Sequence, residues 1–138
     1  MQKMGRTMTN GNNLYGISFA QIQWFCKMLS QHGNVAQLLR HDDIVWDINR
    51  EHGPSVQAIC IDEYTCGIAR VLNVLNDFPN VNLIYVGGAW NHYTMDAKEY
   101  CISNKIGLFN TAEMTGALHK NDFWNYHKKD KDGNPVYG

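Results

Sequence analysis

The chain lacks any apolar run approaching the roughly 18 residues a membrane span requires. Its opening stretch, MQKMGRTMTNGNNLYG, has no apolar h-region. Neither a membrane anchor nor a secretory signal is therefore expected, and a cytoplasmic protein is. The chain also lacks an excess of one charge: the formal net charge is −1 over 138 residues. No whole-molecule field draws a polyanion, so any nucleic-acid surface has to be a local patch. The four cysteines, Cys26, Cys60, Cys66 and Cys101, form no CxxC pair, and three fall inside periodic apolar segments. They read as reduced core thiols rather than a structural zinc site. There is no internal repeat, and the Gly87–Gly88 pair lacks the GxGxxG spacing of a dinucleotide fingerprint.

What is present suits one globular domain: 44% of residues are hydrophobic and 18% charged. Ser18 is a natural N-cap for a helix whose Phe19, Ile22, Phe25, Cys26 and Leu29 keep helical spacing, and Gly33 is a natural stop. Two strands follow, Val35 to Leu39 and Asp43 to Ile48. In the second, Ile44, Trp46 and Ile48 face one way and Asp43, Val45 and Asp47 the other. NREHGPS turns the chain into a third strand, Val56 to Ile61. A helix carrying Ile68, Val71, Leu72 and Leu75 ends before Pro79, and VNLIYVGG is a continuous apolar strand of the kind covered on both faces. Thr94 caps a further helix, IGLF is a short strand, and Thr111 begins a last helix.

The order α-β-β-β-α-β-α-β-α predicts an α/β sandwich with a mixed central sheet, antiparallel at first and then built from right-handed parallel crossovers. Residues 1–17 read as a flexible lead, 18–120 as the domain, and 121–138 as an aromatic and basic tail, partly disordered. In that tail Trp124 with Lys128, Lys129 and Lys131 has the composition to stack bases and contact phosphates; a docked aromatic followed by a solvated charged tail is the plainer reading. GGAW, residues 87–90, falls at the carboxyl end of a central strand, where α/β sheets bind ligands, although its glycines serve equally to shape a loop. His41 beside Asp42 and Asp43 is either an acid–base or metal partner or an exposed strand-entrance histidine.

Gln57 stands among apolar neighbours in PSVQAICIDEY, and a buried amide needs partners, because leaving it unpaired costs roughly 1–3 kcal/mol. SFAQIQWFCKMLSQHGN, then HDDIVWDI, then SVQAI resembles the opening of the Mrr-type branch of the restriction-endonuclease-like, or PD-(D/E)XK, superfamily. IYVGGAWNHYTMDAKEYCISNKIGLFNTAEM is similar to that branch's later half, so the resemblance covers roughly residues 18–118. It implies a restriction-endonuclease-like sandwich acting on DNA, often as a homodimer. It also implies a Mg2+ site formed by Asp43, the Gln57 side-chain oxygen and the Ala58 carbonyl, a hard cation that neutralises phosphate charge and acidifies water.

The branch's lysine, two residues after the Glu or Gln, falls here on Ile59, which neither moves a proton nor holds a water. Losing such a group typically costs about 10²- to 10⁴-fold in rate. Arg70 and Glu63 are the candidates to replace it in catalysis beside Asp43 and Gln57. The expectation is accordingly a pseudo-nuclease that binds DNA, or regulates, with little or no cleavage. The alternatives are a Mg2+-dependent endonuclease with a substituted lysine, and a small α/β protein that binds or inhibits a protein partner.

Overall fold

A computed structural model describes residues 9–88 and 91–135. Helix α1 (Phe19–Ser30) starts where the Ser18 hydroxyl accepts the Gln21 N–H at 3.2 Å, and it buries Ile22, Phe25 and Leu29. Strands β1 (Val35–His41), β2 (Val45–Arg50) and β3 (Val56–Ile61) form an antiparallel meander. Then come β4 (Thr65–Cys66), α2 (Ile68–Asp77), β5 (Leu83–Val86), β6 (His92–Tyr93) and α3 (Met95–Ser103). The chain continues through β7 (Gly107–Phe109), α4 (Thr111–Ala117) and one 3₁₀ turn, Phe123–Asn125. The main sheet has order β1-β2-β3-β5-β7, with β3, β5 and β7 parallel. The fold is thus a mixed α/β domain. No helix among the described residues is long and apolar enough to cross a membrane.

The steps from β3 to β5 and from β5 to β7 run in one direction across the sheet, so right-handed crossovers place α2 and α3 on the same face. Helix α1 covers the opposite face. There Phe25 stacks on Tyr85 (4.3 Å, 8°) and meets Trp46 edge-on (4.9 Å, 87°). Burying such a ring contributes about 1.5–3 kcal/mol, with more from the paired geometry. One face of the β1–β2–β3 corner remains an open groove of about 880 Å3.

Three expectations change. β4 and β6 form a separate two-stranded parallel sheet; two-residue strands carry no periodicity to read. β2 begins at Val45 rather than at Asp43, because Asp42 (φ 55°) and Asp43 (φ 65°) are left-handed turn residues, a conformation aspartate tolerates. The lead and tail are tied down at points: Ile17 is buried, Phe123 enters the core, and Lys129 bridges Pro135, while most of their other described residues are exposed. Residues 1–8 of the lead and 136–138 of the tail lie outside the described residues.

The tail docks on Glu113. This carboxylate is fully buried, accepts the Tyr93 hydroxyl on both oxygens (2.7 and 2.8 Å) and accepts the Lys128 N–H at 3.0 Å. It also completes a capping box with Asn110. Lys98, equally buried, brings its ammonium to 3.8 Å from Glu113 and donates to the Leu108 carbonyl at 2.6 Å. Burial pulls the Lys98 pKa down to about 8, against the opposing pull of Glu113.

Glu113→Ala is expected to lose about 3–5 kcal/mol of stability at pH 7, because it strands a buried ammonium. The paired change Lys98→Met with Glu113→Leu should recover the part of that loss due to the stranded ammonium, while the Tyr93 hydroxyl and the Lys128 N–H still lack their acceptor. Urea titration of both variants checks it, and a wild-type midpoint for Glu113→Ala would refute the role given to the pair.

Candidate functional site

Asp43 is committed to the N-terminal segment. Its Oδ1 accepts the Thr9 N–H at 2.7 Å, and its Oδ2 accepts the Thr9 hydroxyl and the Gly11 N–H. Arg40 lies 3.6 Å from Oδ1 and donates to the Asp43 carbonyl at 3.0 Å. Burial alone would raise the Asp43 pKa, but the bonds from Thr9, Gly11 and Asn10 outweigh it and hold the group at about 2. Two consecutive left-handed aspartates turn this carboxylate away from the strand ladder and onto residues 9–11.

Gln57 finds its partner across the sheet. Asp47 and Gln57 are paired residues of β2 and β3, and the Gln57 amide donates to Asp47 Oδ1 at 2.8 Å. His41 stands between two carboxylates, with Nε2 at 3.3 Å from Asp47 and Nδ1 at 3.2 Å from Asp42. These four residues line a cleft of about 290 Å3 that Asp77 and Phe78 close from the end of α2. The structure thus groups His41, Asp42, Asp47 and Gln57, and does not join Asp43 to Gln57 by a hydrogen bond. The register of the β2–β3 hairpin is the signal that favours Asp47, since it sets Asp47 opposite Gln57 and Val45 opposite Ile59.

The remaining candidates are dispersed. Ile59, at the position of the expected lysine, is fully buried between Val45 and Ile84. Ala58 is fully buried in the centre of the sheet, between Trp46 and Leu83. Arg70 and Glu63 face each other, Nε to Oε1 at 3.2 Å, as an ion pair without hydrogen-bond alignment. The Arg70 guanidinium lies 4.2 Å from the centre of the Tyr15 ring, and the Tyr15 hydroxyl donates to Asp77 at 2.7 Å. Arg70 does not line the cleft.

The residues present do not fit the metal site that the resemblance implies. Both Asp43 oxygens are occupied by protein donors, and Gln57 turns toward Asp47 instead. Among the described residues there is no group of three or more His, Cys, Asp or Glu side chains arranged to hold a metal ion.

Lys128, Lys129 and Lys131 are exposed on the docked tail, and Trp124 is half-buried with Lys105 over its ring at 5.8 Å. The 3₁₀ turn packs on β7 and α3. The tail also reaches the far end of β2, where the Arg50 guanidinium lies 5.4 Å from the centre of the Phe123 ring and donates to the Lys120 carbonyl at 2.6 Å. Gly87 and Gly88 line a pocket beside Trp24 and Tyr85; Ala89 and Trp90 of the same motif lie outside the described residues.

No family model, curated protein or solved structure matches the chain.

Asp43 supplies a pH signature. Its folded pKa lies below the ordinary 3.8, so its stabilisation is complete above the unfolded value and drains as pH falls toward 2. At about 1.4 kcal/mol per pKa unit, Asp43→Asn should cost on the order of 2 kcal/mol at pH 7. The gap to wild type should close between about pH 5 and pH 2. Urea midpoints measured across that range check it, and a gap independent of pH would show that the carboxylate charge contributes nothing.

Proposed function

We propose that the chain is a nuclease-like α/β domain that binds nucleic acid without cleaving it. One observation carries this reading: the tail that bears Lys128, Lys129 and Lys131 is fixed in place. Phe123 is anchored in the core and the Lys128 N–H is held by Glu113, so Lys128, Lys129 and Lys131 project from a defined backbone beside Trp124. Side chains presented this way lose less conformational freedom on meeting phosphates than a free tail would. The absence of cleavage rests on Ile59. A buried isoleucine offers neither a proton nor a cation where the chemistry of the resembled family needs both. His41, Asp42, Asp47 and Gln57 then shape a polar cleft whose carboxylates repel a phosphate backbone, which turns the strand toward the tail.

A protein partner is the second reading, favoured by the open side of the sheet. Among the described residues β1 is an edge strand paired only with β2, and Leu39 on it is 64% exposed over the groove. An exposed edge strand is a ready template for another chain, including a second copy of this one.

Binding to a fluorescent oligonucleotide should weaken as salt rises, with each phosphate contact adding about 0.7–0.9 to the log–log slope. Replacing Lys128, Lys129 and Lys131 by alanine should reduce the slope by about two. Substitution is the right tool, since deleting residues 121–138 would also remove Phe123 from the core. No binding at low salt would favour the protein-partner reading. Cleavage with Mg2+ or Mn2+ that is lost in Asp47→Ala or Asp43→Ala would establish an enzyme instead.

A further inference from the structure

The carboxyl ends of β3 and β5 open into a pocket of about 360 Å3, bounded by Gln21, Trp24, Cys60, Tyr85, Gly87 and Thr111. Its walls are mostly carbon, and among the described residues no charged side chain lines it. The Cys60 thiol, pushed up to about 12 chiefly by burial, stays protonated and serves as wall rather than nucleophile. Trp24 lies parallel to Tyr85 (9°, centroids 6.2 Å apart), which itself stacks on Phe25, so one side of the pocket is a slab of aligned aromatic faces. Trp24 leaves 49% of its surface uncovered. Gly87 keeps the space beside the Tyr85 ring and Cys60 clear. A Cβ there would stand 3.2 Å from the Tyr85 ring and 3.6 Å from Cys60 Sγ.

We propose that this pocket receives one uncharged, planar heteroaromatic ring system of purine size, stacked beside Trp24, with its polar edge toward the Gln21 carboxamide and the Thr111 hydroxyl. The volume falls at the small end of ligand pockets, which span about 300–1,000 Å3, enough for a bicyclic ring and too little for a dinucleotide. A carboxamide can both donate to and accept from the edge of a base. With no cation in the wall, a phosphate adds nothing at this site, so nucleoside and nucleotide should bind alike. The same ring chemistry comes from two sources, a free nucleoside or an unpaired base in a strand. In the second case the pocket deepens the nucleic-acid reading; in the first it stands without it.

The test is calorimetric titration of the full chain with adenosine, with adenosine monophosphate, with a short oligo-dA and with an abasic oligomer of the same length. Saturable binding of adenosine and its monophosphate within about threefold of each other is expected. Trp24→Ala, a change at a half-exposed position, should weaken binding at least tenfold at unchanged Tm, in keeping with the usual worth of base stacking. Gly87→Ala should weaken it independently by taking up the cleared space. Binding of oligo-dA but of neither free compound nor the abasic oligomer, again lost in Trp24→Ala, would assign the ring to a strand. The proposal is overturned if no base-containing probe saturates, if Trp24→Ala and Gly87→Ala both bind as wild type does, or if the monophosphate binds far more tightly than adenosine.

Discussion

One buried carboxylate joins the second half of the molecule. Glu113 accepts from a β6 hydroxyl, from the backbone at the start of α4 and from the backbone of the tail, beside the ammonium of α3. Each donor comes from a different segment, so no one of them can leave without exposing the others to an unmet bond in a dry interior. The arrangement is stable only as a set. It makes the tail part of the fold and fixes where its lysines stand.

The other end of the sheet is held by an analogous device of opposite chemistry. Asp43 binds residues 9–11 through backbone N–H groups and a hydroxyl, with Arg40 nearby, and it titrates well below an ordinary carboxylate. Two termini are thus tied to the domain by two acids, one fully buried and facing a lysine, the other at a left-handed turn. Between them the sheet presents distinct surfaces: an acidic cleft and open groove at β1–β2–β3, an aromatic pocket at the carboxyl ends of β3 and β5, and a tail packed on β7 that carries Lys128, Lys129 and Lys131 among Asp122, Asp130 and Asp132. In the proposed function these are complementary parts, with repulsion at one end and attraction at the other.

Much of the fold was legible because its signals are local. Ser18, Thr94 and Pro79 mark helix ends by backbone chemistry that acts within a few residues, and LIYV reads as a buried strand from its own composition. Asp43 was misread as a strand residue because the alternation running back from Trp46 does not reveal two successive left-handed residues. The hairpin register sets Asp47 opposite Gln57, whereas the resemblance points to Asp43, which the left-handed turn removes from the ladder. A docked aromatic in the tail was legible from its composition, but where it docks was not. The tail's anchor, Glu113, lies 15 residues away in sequence.

The central claim is that nucleic acid meets the tail edge and the aromatic pocket rather than the acidic cleft. The most direct test is residue-resolved NMR shift mapping on addition of a short single-stranded oligonucleotide. The account predicts perturbed amides at Lys128, Lys129 and Lys131, a second cluster at Gln21, Trp24 and Gly87, and a quiet β2 around Asp47. Perturbations centred on His41, Asp47 and Gln57, with the tail unmoved, would contradict it.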